Sequence, residues 1–135
     1  MRHLARSMGK KRQKLRGTNR DDELFGTRQT RRIYGLCGDD LISPAEGKCK
    51  VWGGDGKDTF ETLDGGKGFM KIMDFEVVDK ISFCGCASTR IEQRGKDAWI
   101  LKGTDVKAVV KGILADELDI DLINNVISMV SDPLV

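Results

Sequence analysis

Gly53-Gly54-Asp55-Gly56-Lys57-Asp58-Thr59-Phe60-Glu61 is the stretch whose reading decides the fold, because the same nine-residue phrase recurs in register before it. Counting back in nines gives Pro44 to Trp52, Gly35 to Ser43, Gly26 to Tyr34 and Gly17 to Phe25. The eighth position is apolar in all five copies: Leu24, Ile33, Ile42, Val51 and Phe60. Self-similarity at a fixed short period marks a stacked-repeat architecture. Each nonamer divides into a six-residue turn and a three-residue strand, so two of them close one 18-residue coil. Glycine in the turn supplies backbone angles that a Cβ would forbid. Alternate side chains of a strand face opposite sides, so the eighth residue points into the coil and builds the core.

The two edges of such a coil carry different chemistry. Copies starting at Gly17, Gly35 and Gly53 stack on one edge, and all keep aspartate at the sixth position: Asp22, Asp40 and Asp58. The copies between them stack on the other edge and carry Arg31 and Cys49 there. Carboxylate and carbonyl oxygens gathered at a turn suit a hard cation such as Ca²⁺. An arginine cannot be a ligand, and a thiolate is too soft for calcium. Three carboxylates spaced by 18 residues leave two gaps between successive coils. Two Ca²⁺ sites are therefore expected, one between the Asp22 and Asp40 turns and one between the Asp40 and Asp58 turns, with no metal on the opposite edge.

Beyond the repeats, Asp64-Gly65-Gly66-Lys67-Gly68 leads to Ile72-Met73-Asp74-Phe75 and then Asp79-Lys80-Ile81-Ser82-Phe83. Together with the nonamers, these segments resemble the calcium-binding RTX β-roll that closes serralysin-type proteases and other type I-secreted proteins. The likeness runs from about Gly17 to about Leu122 and also takes in Ile91 to Leu101 and Val109 to Ile113. The resemblance implies calcium ligation by the side chains of Asp22, Asp40 and Asp58, with turn carbonyls near Gly38, Gly54 and Gly56 completing the shells. Asp74 and Asp79 match acidic positions that hold a further ion in relatives. It also implies export without a cleaved signal peptide, and Asp132-Pro133-Leu134-Val135 is similar to the acidic-then-apolar ending of exported members. Two features depart from the family: cysteines at 37, 49, 84 and 86, and a short, half-degenerate array.

The fold expected is all-β: a parallel β-roll, then antiparallel hairpins and a short C-terminal helix. Hairpin turns are expected at Arg94-Gly95-Lys96-Asp97 and Lys102-Gly103-Thr104, with Ile81, Phe83, Ile91, Trp99, Leu101, Val106 and Val109 inward. Asp116 or Asp119 is a candidate helix cap, and Leu122, Ile123, Val126, Ile127 and Val130 fall on one helical face. That face reads as a core or capping stripe, or as a contact with a second subunit.

Residues 1–16 carry seven Lys and Arg and no acid, and removing these from the formal charge of +2 leaves −5 for the remainder. Such a stretch reads as a flexible basic arm whose partners are anionic. It interleaves no aromatic residue for base stacking, which argues against specific nucleic-acid readout. With the arm set aside, residues 17–135 form the roll domain with its caps, and the first coil exposes an apolar cross-section near Leu24 and Ile33. A protein partner or self-association is expected there, since repeat arrays need capped ends. No apolar run is long enough for a membrane span. Four cysteines allow three pairings, which spacing does not resolve, and free thiols remain open beside them.

No catalytic constellation is apparent. The sole histidine is His3, and neither a nucleophile elbow, a phosphate loop nor a His-Glu-x-x-His motif is present. A non-enzymatic, calcium-stabilised structural module, secreted or at a cell surface, is the expectation. The alternative is a component of a larger assembly, such as a virion or surface layer, with the basic arm reaching a neighbour.

Overall fold

The computed structural model of the chain describes residues 3–6, 14–44, 46–62, 68–83 and 89–130. These residues wind into a parallel β-solenoid of about four turns, followed by antiparallel strands. Strands β1 (His3–Arg6), β3 (Asp22–Phe25), β5 (Leu41–Ser43), β7 (Thr59–Glu61) and β9 (Lys80–Ser82) stack as one parallel sheet. Strands β2 (Lys14–Arg16), β4 (Arg32–Tyr34), β6 (Lys48–Trp52) and β8 (Phe69–Ile72) stack as the other.

The pairing register turns the eighth-position pattern into two internal ladders. Leu24 lies opposite Ile42, Ile42 opposite Phe60, and Phe60 opposite Ile81. On the facing sheet the ladder runs Leu15, Ile33, Val51, Ile72. All eight are buried in a single cluster, and each such side chain contributes about 1.5–3 kcal/mol through removal from water.

Leu15 lies within the stretch expected as a basic arm, where residues 14–16 form a strand. It sits nine residues before Leu24 and so continues the period, and its burial draws β2 into the sheet. Residues 3–6 likewise pair with β3, Ala5 lying opposite Leu24. Residues 7–13, which hold much of the basic charge, lie outside the described residues.

After Phe60 the nine-residue step fails. It would place Phe69 inward, but Met70 and Ile72 face the core, opposite Cys49 and Val51. Beyond β8 the second sheet is extended by a meander of β10 (Thr89–Arg94), β11 (Asp97–Lys102) and β12 (Asp105–Val110), with β12 parallel to β8. Both expected hairpin turns are present, with Gly95 at φ 62° and Gly103 at φ 63°. Of the residues expected inward, Ile81, Phe83, Leu101 and Val109 are buried and Ile91 and Val106 are half-buried. Trp99 is out of phase: Ala98 and Ile100 take the core positions, and a register shift at Ile100/Leu101 separates the two runs. The Trp99 ring instead lies under the Arg94 guanidinium, 4.5 Å from its centroid.

The C-terminal helix is replaced by a hairpin. A single 3-10 turn, Ala115–Glu117, leads into β13 (Leu118–Asp121) and β14 (Val126–Met129), which pair antiparallel and extend the first sheet beyond β9. The helical stripe misreads a strand alternation in which Leu118 and Ile127 are buried while Leu122, Ile123 and Val130 are exposed. The Asp121 carboxylate accepts hydrogen bonds from the Ile123 and Asn124 amides and fixes the turn. Cys84, Cys86 and the final Asp132–Val135 lie outside the described residues. Among those described, no helix is long and apolar enough to cross a membrane.

Candidate cation-binding edge

Asp22, Asp40 and Asp58 come together in one column on one edge of the solenoid, as the 18-residue spacing requires, and all three are buried. Each step is a hydrogen bond. Asp40 Oδ1 accepts from the Asp22 amide at 2.8 Å, and Asp58 Oδ1 accepts from the Asp40 amide at 3.0 Å. The column has a fourth member. Asp79 Oδ1 accepts from the Asp58 amide at 3.0 Å, while its Oδ2 takes the Glu76 amide. Asp74 stands beside it and receives the amides of Gly53 and Gly54 on its two oxygens, at 2.8 and 2.9 Å. Asp74 and Asp79 thus anchor the last repeat to the chain that follows.

The glycines named from sequence lie in the stacked turns of the same edge. Gly38, Gly54 and Gly56 all have positive φ. A Cβ on Gly54 would stand 1.9 Å from the Leu36 carbonyl oxygen, and one on Gly56 would stand 2.3 Å from the Gly38 carbonyl oxygen. The turns therefore bring carbonyl oxygens of one coil directly against the backbone of the next.

A second ladder escaped the sequence reading. Asp21 Oδ1 accepts from the Asp39 amide at 2.7 Å, and Asp39 Oδ1 from the Lys57 amide at 2.8 Å. These fifth-position carboxylates are exposed and bond to the following coil, whereas the sixth-position ones bond to the preceding coil. Successive turns are laced in both directions. The signal was the doublet Asp21-Asp22 repeated as Asp39-Asp40.

The electrostatics of the buried column are those of stacked like charges. Burial raises the Asp58 carboxyl to about 8; an amide bond from Asp40 opposes this, and the charges of Asp79, Asp40 and Asp74 add to it. Asp79 rises to about 6, again chiefly by burial, against the bonds from Asp58 and Glu76. Asp58 Oδ2 is buried without a hydrogen-bond partner. Such an atom ordinarily costs about 1–3 kcal/mol or more when charged. Asp22 differs, because the Thr18 amide and hydroxyl donate to its carboxylate.

The donor set fits a hard divalent ion: it is all oxygen, negatively charged and dry. Among the described residues no three acidic, histidine or cysteine side chains converge on one point. Each gap between coils offers carboxylates from two neighbouring turns, and backbone carbonyls of the stacked turns lie on the same edge.

The opposite edge is built differently. The Arg31 guanidinium donates to the Arg28 carbonyl, and Arg28 pairs with Glu46 at 2.8 Å on the surface. Cys49 is buried, which pushes its thiol up to about 11 despite the nearby Arg31 charge. Cys37 is a free, exposed thiol.

Comparison with known proteins gives no family model, no curated protein and no solved structure that matches the chain.

Proposed function

We propose that this chain is a calcium-binding structural module of the RTX β-roll type, in which Ca²⁺ between successive turns neutralises the aspartate column. One observation carries the reading: a column of buried carboxylates, one with an orphaned oxygen, on the edge where nonamers keep aspartate. Carboxylates of adjacent coils would share each ion, with carbonyls near Gly38, Gly54 and Gly56 as further donors. The Asp40–Asp58 gap is the stronger site, since Thr18 already donates to Asp22. The reading takes the module as non-enzymatic and secreted or surface-associated. Extracellular modules bind Ca²⁺ at ~10⁻⁴–10⁻³ M. At ten times the dissociation constant each ion adds about 1.4 kcal/mol to the folded state. Circular dichroism of the full chain with and without Ca²⁺ tests it. A gain of β-structure or of thermal stability with Ca²⁺ supports the reading, and indifference to Ca²⁺ removes it.

A second reading, a scaffold within a larger assembly such as a virion or surface layer, draws on the other end of the solenoid. Among the described residues β1 and β2 are the outermost strands at that end of their sheets, and a strand edge left unpaired invites pairing with another chain. Sedimentation of the calcium-loaded chain as a clean monomer would count against that.

A further inference from the structure

We infer that the outer face of the second sheet is a binding surface for a linear acidic polysaccharide. In a parallel in-register stack the outward seventh positions form a straight row, and here that row is Lys14, Arg32, Lys50 and Lys71. Neighbouring members stand one strand spacing apart, about 4.8 Å. Arg31 and Lys48 flank it, and the six cations but Lys14 border an open cavity of about 330 Å³.

Like charges placed directly opposite one another destabilise a sheet. Among the described residues Lys14, Arg32, Lys48 and Lys50 make no ion pair that would offset this. Lys71, the last member, lies in the field of Asp97, whose carboxyl is held low by the Gly112 amide and by Lys111. A row that repels itself, with four members in line, is relieved by an anionic partner that meets all of them at once.

The shape of the row selects the partner. One cation per rung at constant spacing matches a polymer with one carboxylate or sulfate on each unit of about that length. A nucleic-acid strand, by contrast, gains much of its affinity from bases stacked on open aromatic faces. The aromatic row beside the cations is closed: Tyr34 and Trp52 stack on each other with centroids 4.8 Å apart, and the Arg16 guanidinium covers the other side of Tyr34. Stacked in this way, the two rings give each other faces on which bases would otherwise lie. The inference is independent of calcium, whose proposed sites lie on the aspartate edge.

The test is titration of the full chain at low salt in EDTA with polygalacturonate, with heparin and with a dT20 oligonucleotide. EDTA keeps calcium from bridging uronates to the aspartate edge. Saturable binding of either polysaccharide is expected, weakened about fivefold for each cation removed in Arg32→Ala and Lys50→Ala, retained in Lys50→Arg, and unchanged in Lys96→Ala on the Gly95 turn, outside the row. Binding of polygalacturonate, which carries carboxylates alone, shows that a carboxylate is enough; binding of heparin without polygalacturonate shows that sulfate is needed. Absence of binding, equal weakening by Lys96→Ala, or tighter binding of dT20 than of both polysaccharides would overturn the inference.

Discussion

The two edges of this solenoid share one backbone repeat and differ most in consequence at the sixth position. Where the sixth residue is Asp22, Asp40 or Asp58, carboxylates are buried in a column that repels itself. Where it is Arg31 or Cys49, the edge is held by a surface ion pair and a buried neutral thiol. The eighth residue is apolar on both. The comparison teaches that the core ladder makes the coil, and the sixth position decides whether a coil edge gathers buried carboxylates.

If the core is common property, Ile42→Ala in the aspartate-side strand and Ile33→Ala in the opposite strand should cost alike, about 2–5 kcal/mol each. Urea unfolding in EDTA measures this, and a large inequality would mean that one sheet alone carries the fold. The stacked turns should come next. Gly54→Ala forces a Cβ against the Leu36 carbonyl at positive φ and should cost about 3 kcal/mol. Gly95→Ala, also at positive φ but in open space, should cost about 1 kcal/mol.

The aspartate column makes a directional prediction for pH. Asp58 and Asp79 titrate near 8 and 6 in the folded chain but near 4 when unfolded. Between those values the native state holds more protons, so stability in EDTA is greatest at about pH 4 and falls as pH rises towards 8. Melting temperatures measured from pH 4 to pH 8 should decline, and saturating Ca²⁺ should flatten the decline. A rise with pH in EDTA would contradict the burial of charged carboxylates. On the other edge the expected effect is smallest. Arg28→Ala removes an ion pair whose side chains are 76% and 61% exposed, and it should change stability by less than about 0.5 kcal/mol at any calcium concentration.

Much of this was legible because the repeat is a translation. Once Leu24, Ile42 and Phe60 are 18 residues apart, their stacking and that of Asp22, Asp40 and Asp58 follow from strand geometry alone. What failed did so where the period ended or its phase changed. Leu15 was hidden among basic residues, although it sits one period before Leu24. Trp99 was misplaced because a bulge shifts the alternation of β11 by one residue. The Val126–Met129 segment satisfies a helical stripe and a strand alternation equally well over so short a length, and pairing with β9 selects the strand. The fourth column member, Asp79, comes 21 rather than 18 residues after Asp58, so spacing alone could not align it.

The measurement that bears hardest on the column is the thermal stability of Asp58→Asn beside the native chain at pH 8, in EDTA and in millimolar Ca²⁺. Asparagine keeps the acceptor for the Asp40 amide but removes the buried charge. In EDTA the variant should melt at or above the native chain. In Ca²⁺ the native chain should rise by about 3–5 °C per ion bound and overtake it. A native chain that does not respond to Ca²⁺, or a variant that responds equally, would show that divalent ions do not bridge these turns.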